Sequence, residues 1–256
     1  MRTQRATAAG SGVAKRFQAI DDGATNPQAS LAVRAQTWAL LADRLVSDYL
    51  HGWNNAGARE LAMAERAVAE ALKIDPELVM AHHVSGFIHR ARGRHQPAYD
   101  AFRQATTYDP DFARAYAQQG NQRLYLGKPG ETGTLVDEAV KRSPNDPALY
   151  IFYWIRGRAE FFLGRYAEAI SSLEQSIQKR KTVWYTWLYL VSAYALNNDV
   201  TTAKAKLRQF DRRFPGFTIG TLGKHEQPDG HPAVVGARKK FREGLRRAGM
   251  PTRAPR

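Results

Sequence analysis

The sequence predicts an all-α solenoid of antiparallel helix hairpins, about five repeats with capping helices at both ends. Three observations predict it. Helical phrases end on proline at Pro76, Pro110 and Pro144, each 34 residues after the last, and RRFP closes a further phrase at Pro215. Within each phrase, small and large residues recur in fixed slots. A glycine-bearing turn divides the phrases: RGRH at Arg92–His95, LGKP at Leu126–Pro129 and LGRY at Leu163–Tyr166.

The slots have physical roles. The stretch 79–112 holds His82, Gly86, Ala98, Phe102, Ala105 and Pro110 in them. Stretch 113–146 holds Tyr116, Gly120, Thr132, Val136, Ala139 and Pro144. Stretch 150–183 holds Tyr153, Gly157, Ala169, Leu173 and Ser176, with Lys181 at the proline slot. Stretch 184–217 holds Trp187, Val191, Ala203, Leu207, Phe210 and Pro215, and 45–78 is a weaker copy with Gly52, Ala64, Val68, Ala71 and Pro76. Small residues let helix A and helix B of a hairpin approach closely, and the large ones fill the space between hairpins. Proline, without an amide donor, ends helix B.

A period of 34 with these slots resembles the tetratricopeptide repeat, which implies a right-handed superhelical array. Two irregularities interrupt it. Equivalent turn glycines at 127 and 164 are 37 residues apart, the excess falling at SPNDP, Ser143–Pro147. Gly130 and Gly133 stand where the third helix B should begin, so that hairpin is expected to be the most mobile.

Residues 1–26 read as a disordered basic leader, and 27–217 as the repeat array. A helix from Asn26-Pro27 to about Gly52 precedes the regular units and can serve as an N-terminal cap. Residues 218–250 read as C-terminal capping helices, including one at Ala233–Ala248 that would cover the apolar end of the stack, and 251–256 as a tail.

Composition narrows the chemistry. The net charge is +14, from 38 Lys and Arg against 24 Asp and Glu, and much of the excess lies in the leader and after Arg238. There is no cysteine, which removes disulfides and thiolate metal sites. No apolar run reaches the roughly 18 residues of a membrane span. The start has no apolar secretory core, so a cytoplasmic location is expected. His82 and His89 could share a helix face, but His82 occupies the large slot and is expected to pack there. His225-Glu226 with His231 lacks zinc-protease spacing. No phosphate-binding or dinucleotide glycine pattern occurs, so the chain is expected to be no enzyme and to need no cofactor or metal.

The closing phrases RRFPGFTIGTL at Arg212–Leu222 and KKFREGLRRAGMP at Lys239–Pro251 resemble the C-terminal repeat region of certain bacterial multidomain regulators. Those carry a class III adenylate or guanylate cyclase domain, or a winged-helix DNA-binding domain, ahead of the repeats. Nothing before Ala35 is long enough for either, so cyclase chemistry is not carried over. The resemblance implies an interaction half: a scaffold binding a partner protein or peptide, of acidic character, in the concave groove lined by helix A. Carrying the family's slots across places Met80, His83, Phe87 and Arg90 there from the second unit. The third gives Arg114, Asn121 and Tyr125, the fourth Trp154, Arg158 and Phe162, and the fifth Tyr185 and Ser192. Phe87, Arg90, Arg114, Asn121, Tyr125, Trp154, Arg158 and Tyr185 form the expected peptide site. Aromatics supply area, Asn bonds a peptide backbone and Arg forks onto a carboxylate. The alternative reading is a nucleic-acid-associated regulator acting through the basic termini.

Overall fold

The computed structural model describes residues 26, 28–51, 56–222 and 231–253. The leader up to residue 25, Gly52 and the His225-Glu226 pair lie outside them. The described residues are helical throughout, without strands: α1 (Leu31–His51), α2 (Ala58–Ile74), α3 (Val79–Ala91), α4 (His95–Tyr108), α5 (Ala113–Tyr125), α6 (Thr132–Arg142), α7 (Leu149–Phe162), α8 (Tyr166–Lys179), α9 (Trp184–Leu196), α10 (Val200–Arg213), a single turn α11 (Ile219–Leu222) and α12 (Pro232–Arg247). The chain forms two compact units, residues 1–115 and 116–256. The division falls inside α5, not at SPNDP.

The first unit contains the hairpins α1–α2 and α3–α4. Helix α1 is helix A of the first hairpin. It turns Ala35, Ala39, Ala42, Leu45 and Val46 inward, all without exposure. In the second unit α7–α8 and α9–α10 pair in the same way.

The hairpin turns are built alike. Gly93, Gly127 and Gly164 have φ of 70–75°, and Asn198, the counterpart in the last hairpin, has φ 63°. A left-handed residue after helix A lets the next amide reach back. Arg94, Lys128, Arg165 and Asp199 N–H donate to the carbonyls of His89, Arg123, Glu160 and Tyr194 at 2.8–3.0 Å. These bonds satisfy carbonyls that the helix end would leave open.

The junctions between hairpins also share a device. Asp75 Oδ1 accepts from Glu77 N–H at 3.1 Å and Asp109 Oδ1 from Asp111 N–H at 2.9 Å. Each of these aspartates is also the C-cap of its helix. At the third junction the two jobs separate: Ser143 caps α6, and Asp146 Oδ1 accepts from Ala148 N–H at 2.7 Å. The three-residue slip is this separation. Where Lys181 replaces the proline, its carbonyl accepts from Trp187 Nε1 at 3.0 Å. Likewise His82 Nε2 pairs with the Pro76 carbonyl at 2.8 Å while its ring stacks on Tyr108 at 5.2 Å. His82 is thus engaged as a packing residue, not turned toward His89.

The glycine slots match their reading. A Cβ on Gly86 would lie 2.5–2.7 Å from the ring of Phe102, which has no exposure and no room to move. At Gly157 it would meet Leu173 at 2.7 Å. Thr132, in an alanine slot, donates to the Gly120 carbonyl at 2.9 Å. Its hydroxyl is therefore satisfied although buried.

Gly86→Ala is predicted to destabilise the protein by about 1–3 kcal/mol, since overpacking forces the Phe102 ring off its rotamer. Gly133→Ala, in helix α6 with open space around the added carbon, is predicted to stabilise by up to about 1 kcal/mol. Urea unfolding of both variants checks the opposed signs.

Candidate functional site

The expected site residues divide between the two units. In the first, α3 carries Met80, His83, Phe87 and Arg90. His83 is 7% exposed and meets the edges or faces of Phe87, Phe102 and Phe112 at centroid distances of 4.8, 5.5 and 5.0 Å. Phe87 also packs edge-on against Phe102 at 5.3 Å, so much of its ring is spent on the core. The Arg90 guanidinium lies 5.0 Å from the centroid of Phe87. Arg114, at the start of α5, is exposed. Burial first, then the charges of Arg114 and Arg90, lower the His83 pKa to about 3. The ring is therefore neutral, and its Nε2 has no hydrogen-bond partner. Nearby, Gln36, Asp75, Glu77, Leu78, Val79, Met80, Asp109 and Phe112 line an open cavity of about 400 Å³. On its acidic rim, the Asp75 and Asp109 carboxylates are already bonded to main-chain amides.

In the second unit the structure brings Asn121, Tyr125, Trp154 and Arg158 together. Arg158 is 5% exposed. One terminal nitrogen donates to Asn121 Oδ1 and the other to the Tyr125 hydroxyl, both at 3.2 Å. The guanidinium sits among aromatic rings: Trp154 at 4.6 Å, Tyr125 at 5.3 Å, Phe162 at 5.6 Å and Tyr189 at 5.7 Å. Burial acts against the charge, but the Tyr125 and Tyr189 hydroxyls outweigh it, and the pKa is raised. Arginine keeps its proton in proteins in any case. Among the described residues Arg158 makes no ion pair with a carboxylate, and its Nε has no partner. Tyr185 joins the cluster through Trp154, ring centroids 4.5 Å apart.

This is a cation held by an amide, phenols and π faces. Ring faces attract a cation, yet a buried charge without a carboxylate is left with donor capacity that an anionic group could use. Phe87, Arg90 and Arg114 belong to the other unit and do not enter this cluster.

Sequence reasoning missed Tyr189, which lies outside the helix A slots carried from the family. It also gave α12 a different seat. The helix expected to cover the end of the stack packs mainly on α9, and also on α7. Phe241 stacks on Tyr189 at 4.4 Å and approaches Phe161 edge-on at 6.4 Å. Ser192 Oγ donates to the Phe241 carbonyl at 2.9 Å. Ser192, expected in the groove, is therefore covered. The physical reason is the pair Phe241 and Gly244: a ring matched to the aromatic wall of helices α7 and α9, and a gap that admits Ser192.

No group of three or more His, Cys, Asp or Glu that could hold a metal occurs among the described residues. None of the described helices is long and apolar enough to cross a membrane.

One segment, residues 151–178, matches the family model of the tetratricopeptide repeat. It coincides with the α7–α8 hairpin. Among solved structures the chain is similar to PilW, a widely conserved type IV pilus biogenesis factor, at 20% identity over 81% of this chain and 92% of that one, with a TM-score of 0.62. It is similar to pilF of Pseudomonas aeruginosa at 16% identity, over 84% and 93% of the two chains, with a TM-score of 0.61. YrrB, described as a TPR protein with an unusual peptide-binding site, aligns at 18% identity over 80% and 92%, with a TM-score of 0.50. A search of curated proteins finds no match. At these identities the likeness is one of fold, and the fold is that of tetratricopeptide-repeat proteins.

His83 yields a pH prediction. Its folded pKa lies below the unfolded value near 6.5, so its contribution is complete above that value and is lost as pH falls toward 3. Between pH 7 and pH 5 the loss should be on the order of 2 kcal/mol. Urea titrations at the two pH values should show it, and His83→Leu should remove most of that difference.

Proposed function

We propose that the chain is a protein–protein interaction scaffold whose second unit receives an acidic segment of a partner at Arg158. The observation that carries this reading is a buried guanidinium, bonded to Asn121 and Tyr125, that makes no ion pair with a carboxylate among the described residues. A carboxylate brought to Arg158 would use the vacant Nε donor and add a charge-assisted bond in surroundings of low polarity. Trp154 and Tyr185 supply flanking aromatic area, and the Trp154 Nε1 donor is likewise buried without a partner. YrrB, of similar fold, is described as having a peptide-binding site, which agrees with a peptide as the class of ligand. The closing phrases that resemble cyclase- and winged-helix-linked repeats favour a place in a signalling or transcription system. In the first unit, Arg90 and Arg114 add positive charge to the face of α3 and the start of α5.

Selection from a random peptide library displayed on phage tests this. Wild type should enrich sequences carrying Asp or Glu, and their binding should weaken with salt. Arg158→Met, verified as folded by circular dichroism, should lose that enrichment, with affinity for the selected peptides down roughly tenfold or more. Enrichment that is indifferent to Arg158 would sink the assignment.

A further inference from the structure

Helix α12 lies on the face of α7 and α9 that helix A slots would leave open to a ligand. Leu188, Ser192 and Ala195 of α9 all have no exposure. The seat is specific. Gly244 is so close to α9 that a Cβ would lie 2.6 Å from the Ser192 carbonyl oxygen. Phe241 stacks on Tyr189 and meets Phe161 edge-on. At the other end the His231 ring lies against Gly127, in the turn after α5, where any Cβ would collide with it. Val234, Ala237 and Leu245 are buried, while Lys239, Lys240, Arg246 and Arg247 face solvent. In shape, α12 is bound as a ligand helix would be: an amphipathic helix with its apolar face in a groove.

In charge, it fits poorly. Its one carboxylate, Glu243, is committed to Lys240 and Arg247 on the outer side. Arg238 is half-buried, and its charge acts on the Tyr189 hydroxyl in the same sense as that of Arg158. The aromatic wall that α12 rests on keeps unmet polar atoms: Arg158 Nε and Trp154 Nε1. Each unmade bond is a cost that a better-matched occupant would remove. The connection from Leu222 to His231 is only eight residues long, GKHEQPDG. Beyond the helix, Ile219 and Gly220 N–H donate to the carbonyls of Pro251 and Thr252 at 2.9 and 3.0 Å. Those two bonds tie the end of the helix to α11, so α12 can leave the groove only if they open as well.

We infer that α12 is a built-in occupant of the peptide groove of the second unit. It is displaced by an amphipathic partner helix that presents an aromatic residue and a small residue as Phe241 and Gly244 do, and a carboxylate in place of Arg238. This rests on the reading of that groove as the partner site, and adds that the site is closed in the free protein and that its ligand is helical. The occupant holds the groove by shape and yields it by charge.

Hydrogen exchange on the wild-type protein and a labelled peptide in trans test the inference. Amides of α12 should exchange through an opening that leaves α7 and α8 protected. A fluorescein-labelled peptide of residues 231–251 should bind Phe241→Ala and Gly244→Val, which loosen or expel the resident helix, roughly tenfold or more tightly than wild type. The same peptide with Arg238→Glu should bind tighter still, and Arg158→Met should cancel that gain. Exchange of α12 only with global unfolding would overturn the inference, even if Gly244→Val failed to fold. Equal peptide binding by wild type and Phe241→Ala would overturn it too. A concentration-dependent dimer of Gly244→Val with exchanged helices would assign the groove to a second copy and also overturn the partner assignment. Acidic peptides that bind at Arg158 while α12 stays protected would leave the groove reading intact and remove this inference alone.

Discussion

The structure depends on the distance between helix A and helix B within each hairpin. That distance is set by a missing side chain: Gly86 opposite Phe102, Gly157 opposite Leu173, and Gly120 against Thr132. With nothing on helix A at this position, the partner residue of helix B comes down onto the backbone of its neighbour. Rings and branched chains then reach close-packed density, at which even one extra methylene is felt. The same rule places α12, where Gly244 lets a helix from outside the repeats approach the backbone of α9 as closely as a helix of the repeat would.

Close packing makes polar groups on these helices consequential. Where helix B carries a hydroxyl in place of alanine, the bond is made: Thr132 to the Gly120 carbonyl, and Ser176 to the Tyr150 carbonyl at 2.6 Å. Glu174 of α8 accepts from both Tyr194 of α9 and Lys206 of α10, at 2.8 and 2.9 Å, so one carboxylate joins three helices. Arg158 Nε and Trp154 Nε1, like His83 Nε2 and Thr186 Oγ1, are buried without such a bond. Arg158 and Trp154 both lie on α7, where it meets Asn121 and Tyr125 of α5 and Tyr185 and Tyr189 of α9. Polar atoms left open on a binding face are a reason for specificity, because they reward only a ligand that completes them.

The two faces of this protein differ in what their cations do. In the first unit Arg90 lies over Phe87, and burial among phenylalanines, helped by the charges of Arg114 and Arg90, keeps the His83 imidazole neutral. The result is a rigid apolar wall with charge at its rim. In the second unit the cation itself is inside, surrounded by amide, phenol and indole. A rim charge steers encounter and responds to salt, whereas a buried one decides which partner stays.

By itself the sequence determined the repeat, because the repeat is local. The 34-residue spacing, the glycine turns and the small slots are dictated by how one helix meets the next a few residues later, and each leaves a mark at a fixed offset. The three-residue slip at SPNDP was legible for the same reason. The family resemblance placed Asn121, Tyr125, Trp154 and Arg158 on helix A, and packing brings the four together. Tertiary structure alone decided the rest. That Phe87 belongs mostly to the core, that Tyr189 completes the cage around Arg158, and that α12 turns back onto α7 and α9 all depend on packing between residues dozens of positions apart. No offset records such a contact. Phe241 and Gly244 were visible in the closing phrase, but only the surface they meet shows that they seat α12 against Tyr189 and Ser192.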